Sequence, residues 1–131
     1  MNIKLRAWDK TENKMWNVET IYIEDEWVKV NDGSIYGITK DLVRDYVLMQ
    51  STGLKDKNDT EIYEGDIVEF KYPYDKRIKT KGIIVWNDNI ACFGISMKET
   101  TEQYELYRIT AENYLTVISN KFQNPELLED N

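Results

Sequence analysis

Apolar and polar positions alternate over short distances along this chain, and the pattern predicts strands rather than long helices. Ile3, Leu5 and Ala7 share one face of the run ending at Trp8, as in a half-buried strand. Asp9–Lys14 is a polar turn and Met15–Val18 a short returning strand, so the chain is expected to open on a hairpin. Thr20–Ile23 and Trp27–Val30 form a second pair of β-branched and aromatic runs, joined across Glu24-Asp25-Glu26. Asn31-Asp32-Gly33 follows as a turn, because Asp-Gly readily supplies positive φ. Ser34–Ile38 reads as a strand, and Thr39–Val43 as one helical turn capped by Thr39.

The organising stretch is Val47–Phe70, VLMQSTGLKDKNDTEIYEGDIVEF. Two apolar runs, Val47–Gln50 and Ile67–Phe70, flank a link punctuated by Gly and Asp. Gly53 and Gly65 stand where the backbone most needs freedom, and Lys57–Thr60 is a turn by composition. Gly65-Asp66 is a tight entry into the second strand, and Asp66 is expected to accept hydrogen bonds from the amides of its own turn.

Beyond Phe70, Lys71–Lys81 sets Lys71, Lys76, Arg77, Lys79 and Lys81 against the single acid Asp75, with Pro73 between Tyr72 and Tyr74. A proline there marks a loop or hairpin tip. Gly82–Trp86 does not alternate and reads as a strand covered on both faces. Asn87-Asp88-Asn89 is a turn, and Ile90–Ile95 its partner strand. Tyr104–Ile109 and Leu115–Ile118 read as further strands, and Asn124-Pro125-Glu126 as a helix start with Asn124 as N-cap. The expected fold is mainly β (β-rich α+β), with an SH3-like barrel-type C-terminal half and one short C-terminal helical turn. The 131 residues suit a single domain, with an N-terminal β lobe over 1–46 and a barrel-like lobe over 47–131.

Composition removes several function classes. Net charge is −7, whereas a general nucleic-acid binder needs surplus Lys and Arg to neutralise phosphate. Residues 1–70 hold nine basic and fifteen acidic side chains; residues 71–131 hold eight and nine. The single cysteine, Cys92, allows no intramolecular disulfide, and reads as a small core residue of a protein in a reducing compartment. With no histidine, Ser-His-Asp and Cys-His catalysis are excluded in their ordinary forms. The glycines are scattered and form no phosphate cradle. Glu24-Asp25-Glu26, or Glu61, Glu64 and Asp66, have the oxygen chemistry that hard cations favour, but not calcium-loop spacing, and solvated turn acids are the simpler reading. No apolar run approaches the ~20 residues of a membrane helix, and Met1–Arg6 lacks a signal-peptide pattern. The expectation is a cytoplasmic protein that is no enzyme and binds no cofactor, metal or membrane.

Three blocks resemble the YopX family of phage and prophage proteins: KLRAWD at Lys4–Asp9; Met49–Asp66, with TGLKDK and EIYEGDIV at its heart; and Val117–Asn120 continuing to Asn124–Leu128. They span nearly the whole chain in the family's order. The chain departs from the family at Asn58-Asp59, where Asn-Gly is common, at Ser119, where Gly is usual, and at Lys121, where an apolar residue is usual. The resemblance implies a small β-rich fold carried by a phage or prophage in a bacterial host cell, and offers no catalytic or ligand residues to carry over. The expected mode of action is protein binding or self-assembly as a homo-oligomer, with a host or phage protein as further partner. Two alternatives stay open. Lys71, Tyr72, Tyr74, Lys76, Arg77, Lys79 and Lys81 contact nucleic acid or a neighbouring subunit, since tyrosines stack bases while lysines meet phosphate; or the acidic half is a decoy for a host nucleic-acid-binding protein.

Overall fold

The computed structural model describes residues 4–71, 79–98 and 103–129. Eleven strands run through them: β1 (Leu5–Asp9), β2 (Lys14–Tyr22), β3 (Trp27–Asn31), β4 (Ile38–Leu42), β5 (Tyr46–Lys55), β6 (Glu61–Tyr63), β7 (Asp66–Lys71), β8 (Lys79–Asn87), β9 (Cys92–Met97), β10 (Gln103–Glu105) and β11 (Leu115–Asn120). One short helix, α1 (Arg108–Tyr114), and two single 3-10 turns, Val43–Asp45 and Pro125–Leu128, complete them. The protein is mainly β, in two antiparallel sheets ordered β4-β3-β2-β1-β5-β6 and β10-β9-β8-β7-β11. The chain divides within β5 into two compact units, Met1–Ser51 and Thr52–Asn131.

In the first unit the opening hairpin forms as expected, with Ala7 opposite Trp16 and Asp9 opposite Lys14. The expected strands Met15–Val18 and Thr20–Ile23 are one: Lys14–Tyr22 continues through Thr20, with a bulge between Val18 and Thr20. In β3, Val28 and Val30 are buried while Trp27, Lys29 and Asn31 take the other face. The core gathers Ala7, Trp16, Val28, Val30 and Tyr46. Burying each valine contributes about 1.5–3 kcal/mol. The strand expected at Ser34–Ile38 and the helical turn at Thr39–Val43 are not observed. Residues 34–37 are loop, and Ile38–Leu42 is a strand whose every residue has a partner in β3. Leu42 and Val43 stand at helical spacing from Thr39, but one isolated turn is costly to nucleate and the open edge of β3 offers a ladder to the whole segment instead. Only Val43–Asp45 turns, behind Leu42.

In the second unit the core is Ile62, Val68, Ile84, Ile95, Ala111 and Leu115, with Leu54, Phe70, Phe93, Met97, Leu106 and Val117 packed against it. Strand β6, inside the expected link, escaped the sequence pattern because it has only three residues. On β8, Gly82 and Ile84 are buried, but Ile83 and Val85 are half-buried and Trp86 is exposed, so the expected covering of both faces is incomplete. Trp86 instead meets Phe93 edge-on, with centroids 5.0 Å apart. The partner strand begins at Cys92, later than expected. Ala91 has φ 51° and Ile90 sits exposed in the turn. Cys92 is half-buried rather than core. The expected strand Tyr104–Ile109 ends at Glu105, and α1 follows, with Ala111 its one buried residue, set in the core beside Leu115 at the head of β11. Tyr114 then meets Phe70 edge-on at 5.9 Å. At the C-terminal turn Asn124 occupies the N-cap position and Pro125 the first turn position, but the Asn124 side chain makes no cap bond. It accepts from Ser119 Oγ and donates to Glu126 Oε1.

Candidate functional site

The acids considered as metal ligands go separate ways. Glu24, Asp25 and Glu26 lie exposed in the β2–β3 turn, where the Glu26 carbonyl accepts the Val43 N–H. Asp66 is buried and its Oδ2 accepts the Tyr63 N–H at 2.8 Å, the expected turn bond. Gly65, at φ 88°, donates to the Ile84 carbonyl and accepts from the Lys121 N–H; Gly53 has φ 77°. Both glycines thus occupy the left-handed region expected of them. Among the described residues no cluster of three or more Asp, Glu, Cys or His is arranged to hold a metal.

The sequence reading passed over Asp56, which ties the family's densest motif together. Only 3% exposed, it accepts the N–H groups of Asn58 (2.8 Å) and Thr60 (2.9 Å) at Oδ1, and that of Val117 (2.8 Å) at Oδ2. Next to it the Lys57 N–H donates to the Leu115 carbonyl at 3.0 Å. Leu115 and Val117 lie on β11, the end strand of its sheet, so residues 56 and 57 occupy that strand's outer edge. The spacing Asp-x-Asn-x-Thr is an Asx-type turn signal. Where Asn-Gly is common in the family, Asp59 here takes φ 67°.

At the basic hairpin, Lys71 ends β7 opposite Lys79, the first residue of β8, and Lys81 stands opposite Glu69. Tyr72, Tyr74, Lys76 and Arg77, with the rest of 72–78, lie outside the described residues.

A site the sequence did not single out lies at the β3–β4 loop and the β4 edge. The loop is braced from within. Asn31 Oδ1 accepts from Gly33 N–H, Asp32 Oδ1 from the Ser34 N–H (2.9 Å) and hydroxyl (2.6 Å), and the Gly37 carbonyl from Asp32 N–H. Lys14 Nζ meets Asp32 Oδ2 at 2.8 Å. That ammonium, then the Ser34 bonds, holds the Asp32 carboxyl well below the usual carboxylate range. The braced loop presents Ile35 and Tyr36, 86% and 95% exposed, beside the half-exposed Ile38.

Strand β4 ends the sheet. Val43 N–H bonds to the Glu26 carbonyl at one end of the β3–β4 register, and Asp32 N–H to the Gly37 carbonyl at the other. Antiparallel bonding alternates, so Val28/Asp41 and Val30/Thr39 are the hydrogen-bonded pairs, and Ile38, Lys40 and Leu42 direct their N–H and C=O groups outward. The solvent face of this edge carries a cationic row. Lys29 stands opposite Lys40. Lys29 has Glu19 at 3.4 Å, whereas Lys40 Nζ lies over the rings of Tyr22 (4.3 Å) and Trp27 (5.7 Å) and meets no carboxylate among the described residues. An alternating Ile-x-Lys-x-Leu was the available signal for this strand.

Among the described residues no helix is long and apolar enough to cross a membrane. A family model described as YopX protein matches residues 4–129. The crystal structure of protein EF1440 from Enterococcus faecalis is similar at 30% identity, with a TM-score of 0.73 over 98% of this chain and 99% of that one. The crystal structure of protein YopX from Bacillus subtilis is similar in fold, at 20% identity and a TM-score of 0.61, over 100% of this chain and 99% of that one. No curated protein matches the chain.

Proposed function

With the chain a member of the YopX family, we propose that it is a phage- or prophage-carried accessory protein of the bacterial cytoplasm that binds protein, performs no catalytic step of its own, and assembles first with its own copies. The observation that carries this reading is the braced loop Asn31–Ile38. Two large apolar side chains are held out in water by a loop whose polar groups are already bonded to one another. A loop ordered before contact leaves less conformational entropy to lose on binding. Its apolar tip contributes nothing to the core of its own unit.

Light scattering tests the assembly. At micromolar concentration the wild type is expected to show a mass well above the 15.6 kDa of one chain. Ile35→Ser with Tyr36→Ser should lower that mass without lowering the melting temperature, because neither side chain is buried. A wild type at 15.6 kDa throughout that range refutes self-assembly.

Nucleic-acid binding through residues 71–81 is the second reading, favoured by Lys71 opposite Lys79 at the hairpin root. It requires affinity that falls steeply with salt and is lost when Lys76, Arg77, Lys79 and Lys81 become Gln. The decoy reading weakens. Asp9, Asp56 and Asp66 of the acidic half are buried, and each accepts amide hydrogen bonds in its own turn, so half of that segment's acid surplus is turned inward.

A further inference from the structure

We propose that the open edge of β4 accepts an extended segment of another protein as an added antiparallel strand, with a carboxylate opposite Lys40 and apolar side chains opposite Ile38 and Leu42. This rests on the protein-binding reading above and names the chemistry of the partner.

Three observations converge on it. The edge is chemically complete, because Ile38, Lys40 and Leu42 direct donors and acceptors outward in the spacing a new strand matches. The fold closes a comparable edge elsewhere: on β11, the outward carbonyl of Leu115 and amide of Val117 are bonded by Lys57 and Asp56, and no such cover lies on β4 among the described residues. The third observation is charge. Like charges directly opposite one another in a sheet are destabilising, and Lys29 and Lys40 are such a pair. Glu19 answers Lys29, while among the described residues Lys40 has only the faces of Tyr22 and Trp27. A carboxylate on the next strand completes the row as Glu19 begins it.

The same row argues against a second copy at this edge. Two β4 strands paired in the register of greatest overlap place Lys40 against Lys40, with both Lys29 side chains on the same face. Lysine at the middle of an edge strand is a recognised guard against such self-pairing.

The test uses the whole chain and synthetic nine-residue peptides centred on Val-Thr-Glu-Thr-Val, with binding followed by the fluorescence of Trp27 and by amide shifts of β4. Binding is expected to saturate. N-methylation of the central Glu amide, which faces β4, should abolish it, and N-methylation of a neighbouring Thr, which faces away, should not. Lys40→Glu should weaken the Glu peptide about tenfold and strengthen its Lys-centred counterpart, from cross-strand charge pairing in both directions. Lys40→Gln should fall between the two, guarding against an effect of misfolding. No saturation by about 1 mM, equal effects of the two methylations, or charge reversal without a swap of preference overturns the proposal. So does an assembled mass that rises in Lys40→Gln, which assigns the edge to a second copy. A chain that assembles yet ignores the peptides sinks this proposal alone; a monomer that binds them sinks only self-assembly.

Discussion

Replacing Asp56 by Asn changes one oxygen to an NH2 group and leaves size and shape almost untouched, which isolates hydrogen bonding. Oδ1 can still accept from Asn58 and Thr60. The other position then places a donor against the Val117 N–H, 2.8 Å away, where the carboxylate accepted. A buried donor left without an acceptor costs about 1–3 kcal/mol, and the two retained bonds lose the extra strength of an ionised acceptor. Val117 is only half-buried, which favours the lower part of that range, so a total of about 2–3 kcal/mol is expected. For a chain of this length that corresponds to a fall in melting temperature of roughly 6–12 °C. Calorimetry gives the fall, and hydrogen exchange at the Val117 amide gives its place. Asp59→Asn is the matched control. Its side chain is 82% exposed and paired with Lys55 at 3.4 Å, so about 0.5 kcal/mol or less is expected. An Asp56→Asn protein melting within about 2 °C of wild type, with Val117 equally protected, refutes the staple.

Two further outcomes follow from local geometry. Gly65→Val should cost about 1–3 kcal/mol, because a β-branched residue is strained at φ 88° in a buried turn bonded to Ile84 and Lys121; an unchanged melting temperature counts against this. Tyr46 donates to Asp41 Oδ2 at 2.7 Å, and burial, then that carboxylate, pushes its phenol above the usual range. The unfolded phenol ionises near about pH 10 while the folded one still holds its proton, so stability should fall as pH rises past that point. Tyr46→Phe should flatten the fall, at a cost of about 1 kcal/mol near neutrality; urea midpoints from pH 8 to 11 with the same slope in both proteins count against it.

The legible parts of the fold were those written locally. Asp9–Lys14, Gly53, Gly65 and Asp66 were readable because turn chemistry depends on a few neighbouring residues. The β4 edge was not, because a Thr before a polar stretch resembles a cap until β3 supplies a ladder. Helix α1 was missed because its burial rests on one small residue, Ala111, whose meaning comes from a sheet formed elsewhere. Asp56 shows the same division within one side chain: its bonds to Asn58 and Thr60 follow from spacing, and its bond to Val117 follows from topology. The candidate interaction site was invisible for a further reason. Exposure of Ile35 and Tyr36 is a property of the finished surface, and an apolar residue in sequence is read first as core.

The bond between Asp56 and Val117 also sets an order of events at the ribosome. Sixty-one residues separate its ends, so the turn at 56–60 is made several seconds before its distant amide exists, at about 5–20 residues per second. Throughout that interval Asp56 Oδ2 lacks its strand partner, and β7 has no β11 beside it. A nascent chain halted before Leu115 therefore carries a raw sheet margin at β7, which the completed final strand of a neighbouring polysomal copy can cover.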